Sequence, residues 1–202
     1  MLSNPAGDQV ILASKSPRRK ELLSGILEHF HTLEAQVEEA LVSTNGSADL
    51  ALANARLKAE AVAELNPDAW VIGSDTVVSC DGVSLGKPSD NEDAFRMIRQ
   101  LSGRSHEVYS GVSIIHRRRG VATSFVEESQ VRFFELSDSQ IRDYVETFHP
   151  TDYAGGYPIQ HVMGSIVAGF SGSYNNIVGL PVERLRETMQ QCGILKSAGH
   201  ES

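Results

Sequence analysis

Two serines, a lysine and two arginines gather where an apolar run turns into a helix: Val10 to Leu23 reads VILASKSPRRKELL. Pro17 suits a first helical position, where its missing N–H costs nothing. Backbone N–H groups at a helix N-terminus point beyond the preceding strand, and the helix dipole favours an anion there. Ser14 and Ser16 can donate hydroxyl hydrogen bonds, Lys15 brings a point charge, and Arg18 and Arg19 bring planar forks that match phosphate oxygens. A solvated helix start could use the same residues, but cations beside a positive helix end are mildly unfavourable without an anion. The stretch therefore reads as a phosphate site. Asp75 stands after Gly73-Ser74 in a β-branched run, where a carboxylate can project into a cleft and activate water, directly or through a metal, or can serve structure alone. Lys87 lies in LGKP, its backbone stiffened by Pro88, and Lys58 in NARLKAEA either snorkels along its helix or reaches a cleft.

The elements that must position these residues alternate along the chain. QVILAS reads as a buried strand running into the helix SPRRKELLSGIL, and HFHTLEAQVEEALV as a second strand followed by a loop. ADLALANARLKAEAVAEL is the strongest helix, stopped by Asn66 and Pro67. AWVIGSDTVVSC reads as a strand interrupted at Gly73-Ser74-Asp75, with Asp81-Gly82 as a hairpin turn. SDNEDAFRMIRQLSG carries a capping box through Ser89 and Glu92 and closes at Gly103; LSDSQIRDYVETF repeats that logic through Ser137 and Gln140. HEVYSGVSIIHR and GVATSFVEESQVRFF read as long antiparallel strands around Arg117-Arg118-Arg119-Gly120. The strand SIVAGF follows the loop TDYAGGYPIQH, and a final helix runs from about Pro181 to Gly193. With no internal repeat or low-complexity linker, the pattern implies an α/β body with a smaller lobe, in one domain over 1–202 with an ordered core at about 9–192 and frayed ends at 1–8 and 196–202.

At 202 residues and 41% hydrophobic, the chain can bury a sizeable core. Its N-terminus has neither a basic start nor an apolar h-region, and no apolar run is long enough to span a bilayer, so a cytoplasmic protein without membrane partners is expected. Cys80 and Cys192 lack zinc-type spacing and read as reduced bystanders. A net charge of −8 argues against binding a nucleic-acid polymer, so an anionic ligand must be held by a local cluster and Arg117 to Arg119 read as a solvated hairpin tip. His161 reads as a surface or loop-packing residue, and Tyr157 and Tyr174 could either pack or stack on a base.

The pieces LASKSPRRKELL, GSDTVV, GKP, LSGRSHEVYSGV, AGGYPIQ and NNIVGLP occur in the order found in the Maf family, and the chain resembles that family from Leu12 to Pro181. The resemblance implies a mixed, twisted α/β sheet with flanking helices and two lobes around a central cleft, related to the inosine-triphosphatase-like fold. It implies a homodimer that needs a divalent cation, Mg²⁺ or Mn²⁺, and hydrolyses a nucleoside triphosphate to monophosphate and pyrophosphate. In it Asp75 corresponds to the general base, Glu39 and Asp75 to metal-holding carboxylates, and Ser14, Ser16, Arg18, Arg19, Lys58 and Lys87 to phosphate-binding residues. Read alone, Glu38 and Glu39 are a solvated acidic pair.

Arg18, Thr76 and Gln160 match the branch that hydrolyses dTTP and UTP, whereas Trp, Gln and Glu stand there in a sister branch that acts on 7-methyl-GTP. A neutral Gln amide can pair with the donor and acceptor edge of uracil or thymine. The surrounding loop departs from the family pattern at Tyr153, Pro158 and His161. Rival readings are a purine-type or 7-methyl-GTP pyrophosphatase and a non-catalytic nucleotide-binding regulator of cell division; the presence of Asp75, Glu39 and both lysines argues against the last.

Overall fold

Alternating apolar runs and amphipathic segments build one mixed seven-stranded sheet, in a computed structural model that describes residues 8–196. Of the ends expected to fray, 1–8 and 196–202, all but Asp8 and Lys196 lie outside the described residues. The strands are β1 (Val10–Leu12), β2 (His31–Thr32), β3 (Trp70–Cys80), β4 (Val83–Leu85), β5 (Ser105–His116), β6 (Val121–Phe133) and β7 (Val167–Ser171). The helices are α1 (Pro17–Ser24), α2 (Ser47–Leu65), α3 (Asn91–Leu101), α4 (Asp138–Phe148), α5 (Ile159–Val162), α6 (Tyr174–Val178) and α7 (Val182–Gln191), with a 3₁₀ turn at Ala154–Gly156. Strand order is β2-β1-β3-β5-β6-β7; β1 runs parallel to β2 and β3, and every other pairing is antiparallel. Among the described residues no helix is long and apolar enough to cross a membrane.

The register of β3 creates the space for a site. One edge of β3 pairs with β5 from Val71 to Ser79. On the other edge β1 covers only Trp70 to Ile72 and β4 only Val78 to Cys80, leaving Gly73 to Val77 without a strand partner. The segment after β1 and the segment after β4 run into this gap from opposite ends. The strand itself continues through Gly73-Ser74-Asp75, which corrects the interruption read from the sequence. Gly73 is there for a different reason: a Cβ at that position would overlap Ala55 O and lie 2.8 Å from Ala59 N of α2. At Gly111 on β5, opposite Asp75, a Cβ would overlap Ala51 O and lie 2.6 Å from Leu52 N. Two glycines and the small residues Ala51, Ala55 and Ala59 thus let α2 lie against the sheet.

The opposite sheet face carries two separate apolar clusters. Val10, Leu12, Leu23, Trp70, Ile72, Ile114 and Leu185 belong to one, and Val78, Ile98, Leu101, Val108, Val131, Phe133 and Ile141 to the other. Between them runs a polar belt of Ser74, Thr76, Ser110 and Ser129, covered by the fully buried Asn176 of α6. Asn176 Nδ2 donates to Val108 O and Ser129 Oγ, both at 3.0 Å. This belt divides the lobes without dividing the sheet.

Local signals behave much as the sequence implies. Asp81 and Gly82 take positive φ at the β3–β4 turn, and Ser137 with Gln140 forms a capping box on α4. The start of α3 differs by one residue: Asp90 Oδ1 accepts from Asp93 N, and Asp93 Oδ2 accepts from Ser89 N, so Ser89 and Glu92 are not the capping pair. A carboxylate at Asp90 accepts this N–H more strongly than the preceding hydroxyl can. Each arginine of the β5–β6 turn meets an acid, Arg117 with Glu64, Arg118 with Asp68 and Arg119 with Asp8.

The loop that precedes α5 is tied to the second core. Tyr144 donates to Gly156 O at 2.8 Å, and His106 Nε2 lies 2.7 Å from the Tyr157 hydroxyl. Tyr157 is therefore a buried packing residue, its ring edge-on to Phe133 and His106. Burial holds His106 neutral, lowering its pKa to about 4 from 6.5. The unfolded chain then binds the His106 proton at higher pH than the folded one, so this stability is complete above about 6.5 and is lost as pH falls toward about 4. The full span is of order 3 kcal/mol. Urea unfolding at pH 7 and pH 5 should show a smaller drop in midpoint for His106→Gln than for the wild type.

Candidate active site

The unpaired edge of β3 gathers two groups of side chains, one from each sheet face. On the face covered by α2, Asp75 projects toward the helix. Lys58 Nζ lies 2.8 Å from Asp75 Oδ1 and 2.6 Å from Glu39 Oε2, although Glu39 comes from the loop after β2. Asn54, one helical turn before Lys58, donates to Asp75 Oδ2 at 3.2 Å. Asn54, Lys58 and Asp75 are all buried, whereas Glu39 is exposed. The arrangement places a cation between two carboxylates at the rim of the gap.

On the other face, the end of β1 and the start of α1 contribute Ser14, Ser16 and Arg19. Ser16 caps α1 by accepting from Arg19 N, and Ser14 Oγ accepts from Ser16 N at 3.2 Å. The Arg19 guanidinium donates through Nε to Gly179 O at 2.9 Å, to Thr76 Oγ1 at 3.1 Å and to Ser14 Oγ at 3.4 Å. Three of its five N–H groups are thus spent on fixing its plane, and two remain to meet a ligand. Burial pulls the Arg19 pKa below its ordinary range; Asp75 and Glu39 oppose the shift and Arg18 adds to it. Arginine stays charged at any working pH regardless.

Thr76 is held in the same web. Its Oγ1 lies 2.9 Å from Ser110 Oγ, Ser110 donates to Asn176 O, and Ser74 and Thr76 both donate to Gly179 O. Arg18 sits beside this site but turns outward, donating to Asp152 O at 3.1 Å with its guanidinium 4.3 Å over the Tyr153 ring. Lys87 is exposed in the segment leaving β4 and makes no hydrogen bond or ion pair among the described residues. That segment is anchored by Gly155 N donating to Gly86 O at 2.9 Å. Gln160, on α5, is likewise exposed with no hydrogen-bond partner among the described residues. Lys15 is occupied elsewhere, 2.6 Å from Glu34.

The structure therefore brings Ser14, Ser16, Arg19, Thr76, Lys58, Glu39 and Asp75 together around one strand edge. It leaves Arg18, Lys87 and Gln160 on the surrounding segments. Sequence reasoning missed Asn54, Ser110, Asn176 and the Gly179 carbonyl. Asn54 had a readable signal, since it precedes Lys58 by four residues and so shares its helix face. His161 is exposed, and Tyr174 is exposed against Phe170 at a ring-centroid distance of 5.7 Å.

A family model described as Maf-like protein matches residues 9–192. The chain belongs to the Maf family. A relative from Carboxydothermus hydrogenoformans named dTTP/UTP pyrophosphatase is 43% identical over 185 residues, 92% of this chain and 99% of the relative. One of the same name from Bacillus cereus is 41% identical over 186 residues, 92% of this chain and 96% of the relative. The solved structure of the Staphylococcus aureus Ham1 protein covers 62% of this chain and 71% of its own at 14% identity. Its TM-score of 0.46 is too low a likeness to bear on function.

In this Maf chain the plane of the Arg19 fork is fixed by the protein itself, which would suit it to receive an anion. Losing a charge-assisted pair of hydrogen bonds costs roughly 1.5–3 kcal/mol, about tenfold or more in affinity. Calorimetric titration with tripolyphosphate should show at least that loss for Arg19→Ala, and unchanged binding would remove Arg19 from the anion site.

Proposed function

We infer that this Maf-family chain is a nucleoside triphosphate pyrophosphatase that hydrolyses dTTP and UTP to the monophosphate and pyrophosphate. The observation that carries the reading is full-length similarity, at 41% and 43% identity, to relatives that bear that name. The edge site supports it independently, since it sets phosphate-binding donors and an acidic pair on two sides of one gap. The reading carries with it a cytoplasmic homodimer, and two unlinked thiols suit a reducing compartment.

The triphosphate binds with its oxygens toward Arg19, the hydroxyls of Ser14 and Ser16 and the start of α1, with Lys87 approaching from the β4 side. These donors are oriented before substrate arrives, so they stabilise charge developing on the phosphates with little reorganisation. Asp75 accepts the proton of the attacking water, and Lys58 and Asn54 hold its carboxylate in place. Water attacks a phosphorus atom at the α,β junction, and the phosphoanhydride bond breaks to release pyrophosphate.

Two carboxylates already spaced around an ammonium suit a divalent ion of the Mg²⁺ type, which takes one or two protein carboxylates and completes its shell with phosphate and water oxygens. Glu39 and Asp75 are the residues that would hold it. No third His, Cys, Asp or Glu converges on them among the described residues, so the nucleotide and water must supply the rest. A divalent ion bound there supplies charge neutralisation on the phosphate oxygens.

Gln160 reads the base. Its exposed amide has both a donor and an acceptor to offer, whereas Thr76 is committed to Arg19, Ser110 and Gly179 and acts by fixing the anion site. Arg18 helps set the loop through Asp152 and the Tyr153 ring, so the departure at Tyr153 gives that loop an anchor on α1.

Pyrophosphate release from dTTP, UTP, CTP, GTP, 7-methyl-GTP and ITP with Mg²⁺ or Mn²⁺ tests the reading, with dTTP and UTP expected to lead. A buried base edge left unpaired costs roughly 1–3 kcal/mol, so Gln160→Glu should lower kcat/KM for dTTP and UTP about 5- to 150-fold while affecting GTP much less. An equal loss on every substrate would show that Gln160 does not read the base.

Asp75→Asn removes the proton acceptor without disturbing the Arg19 web. Turnover should vanish while nucleotide affinity stays within about tenfold. Substantial activity in the folded variant would remove Asp75 from the mechanism.

A further inference from the structure

Asn54 is buried, and its amide can take only one orientation. Ala40 N donates to Asn54 Oδ1 at 2.9 Å, while Asn54 Nδ2 donates to Ala40 O at 3.0 Å and to Asp75 Oδ2 at 3.2 Å. Turning the amide over would set NH₂ against an N–H and oxygen against two acceptors. A single side chain on a rigid helix therefore grips the backbone of the residue next to Glu39 with one end and touches the Asp75 carboxylate with the other. Elsewhere the loop around Glu39 is open to solvent, with Ala40, Leu41 and Val42 all exposed, and the Glu39 carboxylate is tied to Lys58.

We propose that Asn54 is a positioning residue that sets the distance between the Glu39 and Asp75 carboxylates and thereby the affinity of the pair for a divalent ion. This rests on reading those carboxylates as the ion's ligands. Helix α2 supplies the fixed reference. Because α2 lies against Gly73 and Gly111, Asn54 cannot follow the loop, and the loop must come to it. Lys58 then finds both acids within hydrogen-bond reach, since they are already held one cation apart.

Calorimetric titration of the full chain with Mn²⁺ tests this, with kcat and nucleotide KM at saturating Mn²⁺ measured alongside. Removing a group that orients a metal ligand commonly costs 10- to 100-fold in metal affinity, so Asn54→Ala should weaken Mn²⁺ binding by about tenfold or more. Nucleotide KM should stay within about threefold, since the Arg19 web is untouched. Asn54→Leu, of similar volume, removes the same hydrogen bonds while keeping the helix and its packing, and should move Mn²⁺ affinity in the same direction; it decides the matter should Asn54→Ala fail to fold. Wild-type Mn²⁺ affinity in both variants, with binding lost in Glu39→Gln, would overturn the clamp and leave the carboxylate pair standing. A proportionate rise in nucleotide KM would also overturn it, as general disruption. If the wild type takes up no Mn²⁺, or Glu39→Gln takes it up normally, the carboxylate reading falls and the proposal with it.

Discussion

The close approach of α2 to the sheet is the constraint from which the site follows. Any side chain at Gly73 or Gly111 would occupy the helix backbone, so both positions need to be bare and the facing helix residues small. At that spacing a helix placed side chains four residues apart directly over one strand residue, and Asn54 and Lys58 both reach Asp75. A wider separation would leave a buried carboxylate without partners, which is costly in proportion to its desolvation. The glycines thus act on the chemistry through the helix and not by any contact of their own.

The other half of the site depends on what separates two apolar cores. A sheet face that is apolar at both ends and polar across its middle cannot be covered by one continuous hydrophobic layer. The short helix α6 solves this by presenting Asn176 to the belt and the Gly179 carbonyl to Arg19. Most polar groups of the belt are linked into a chain from Ser129 through Asn176 and Ser110 to Thr76 and Arg19, although Asn176 Oδ1 stays buried without a partner among the described residues. One sheet therefore supports two lobes, and the lobe boundary coincides with the hydrogen-bond web around Arg19.

Much of this was legible in the sequence where local chemistry decides. Pro17 after Ser16, Asp81-Gly82, and Ser137 with Gln140 each dictate backbone geometry within a few residues, and the structure shows them so. The hydroxyls and cations before Leu22 do gather at the start of α1, where Ser14, Ser16 and Arg19 are hydrogen-bonded to one another, while Arg18 and Lys15 take other partners. What depended on register was hidden. Gly73 looked like a strand break because the helix that needs it lies elsewhere in the sequence. Ser74, Ser110 and Ser129 could be seen as a belt only once β3, β5 and β6 were aligned. Asn54 shares a helix face with Lys58 by its four-residue spacing, but what that face meets, Asp75 and the Ala40 backbone, depends on the packing of α2 on β3.

The uncovered stretch of β3 carries a hazard that its surroundings answer. Backbone groups from Gly73 to Val77 on the β1 side have no strand partner, and a bare strand edge is a template on which another chain can add. Most sheets hide such edges at their margins, where a bulge or a proline blunts them. Here the opening lies in the middle of the sheet, rimmed by Arg19, Lys58, Glu39 and Lys87 and bordered by Pro88. Charges so placed make an incoming apolar strand unwelcome while admitting a hydrated, charged guest. The residues suited to holding a substrate are also the chain's guard against joining itself strand to strand, so neutralising them would raise its tendency to aggregate.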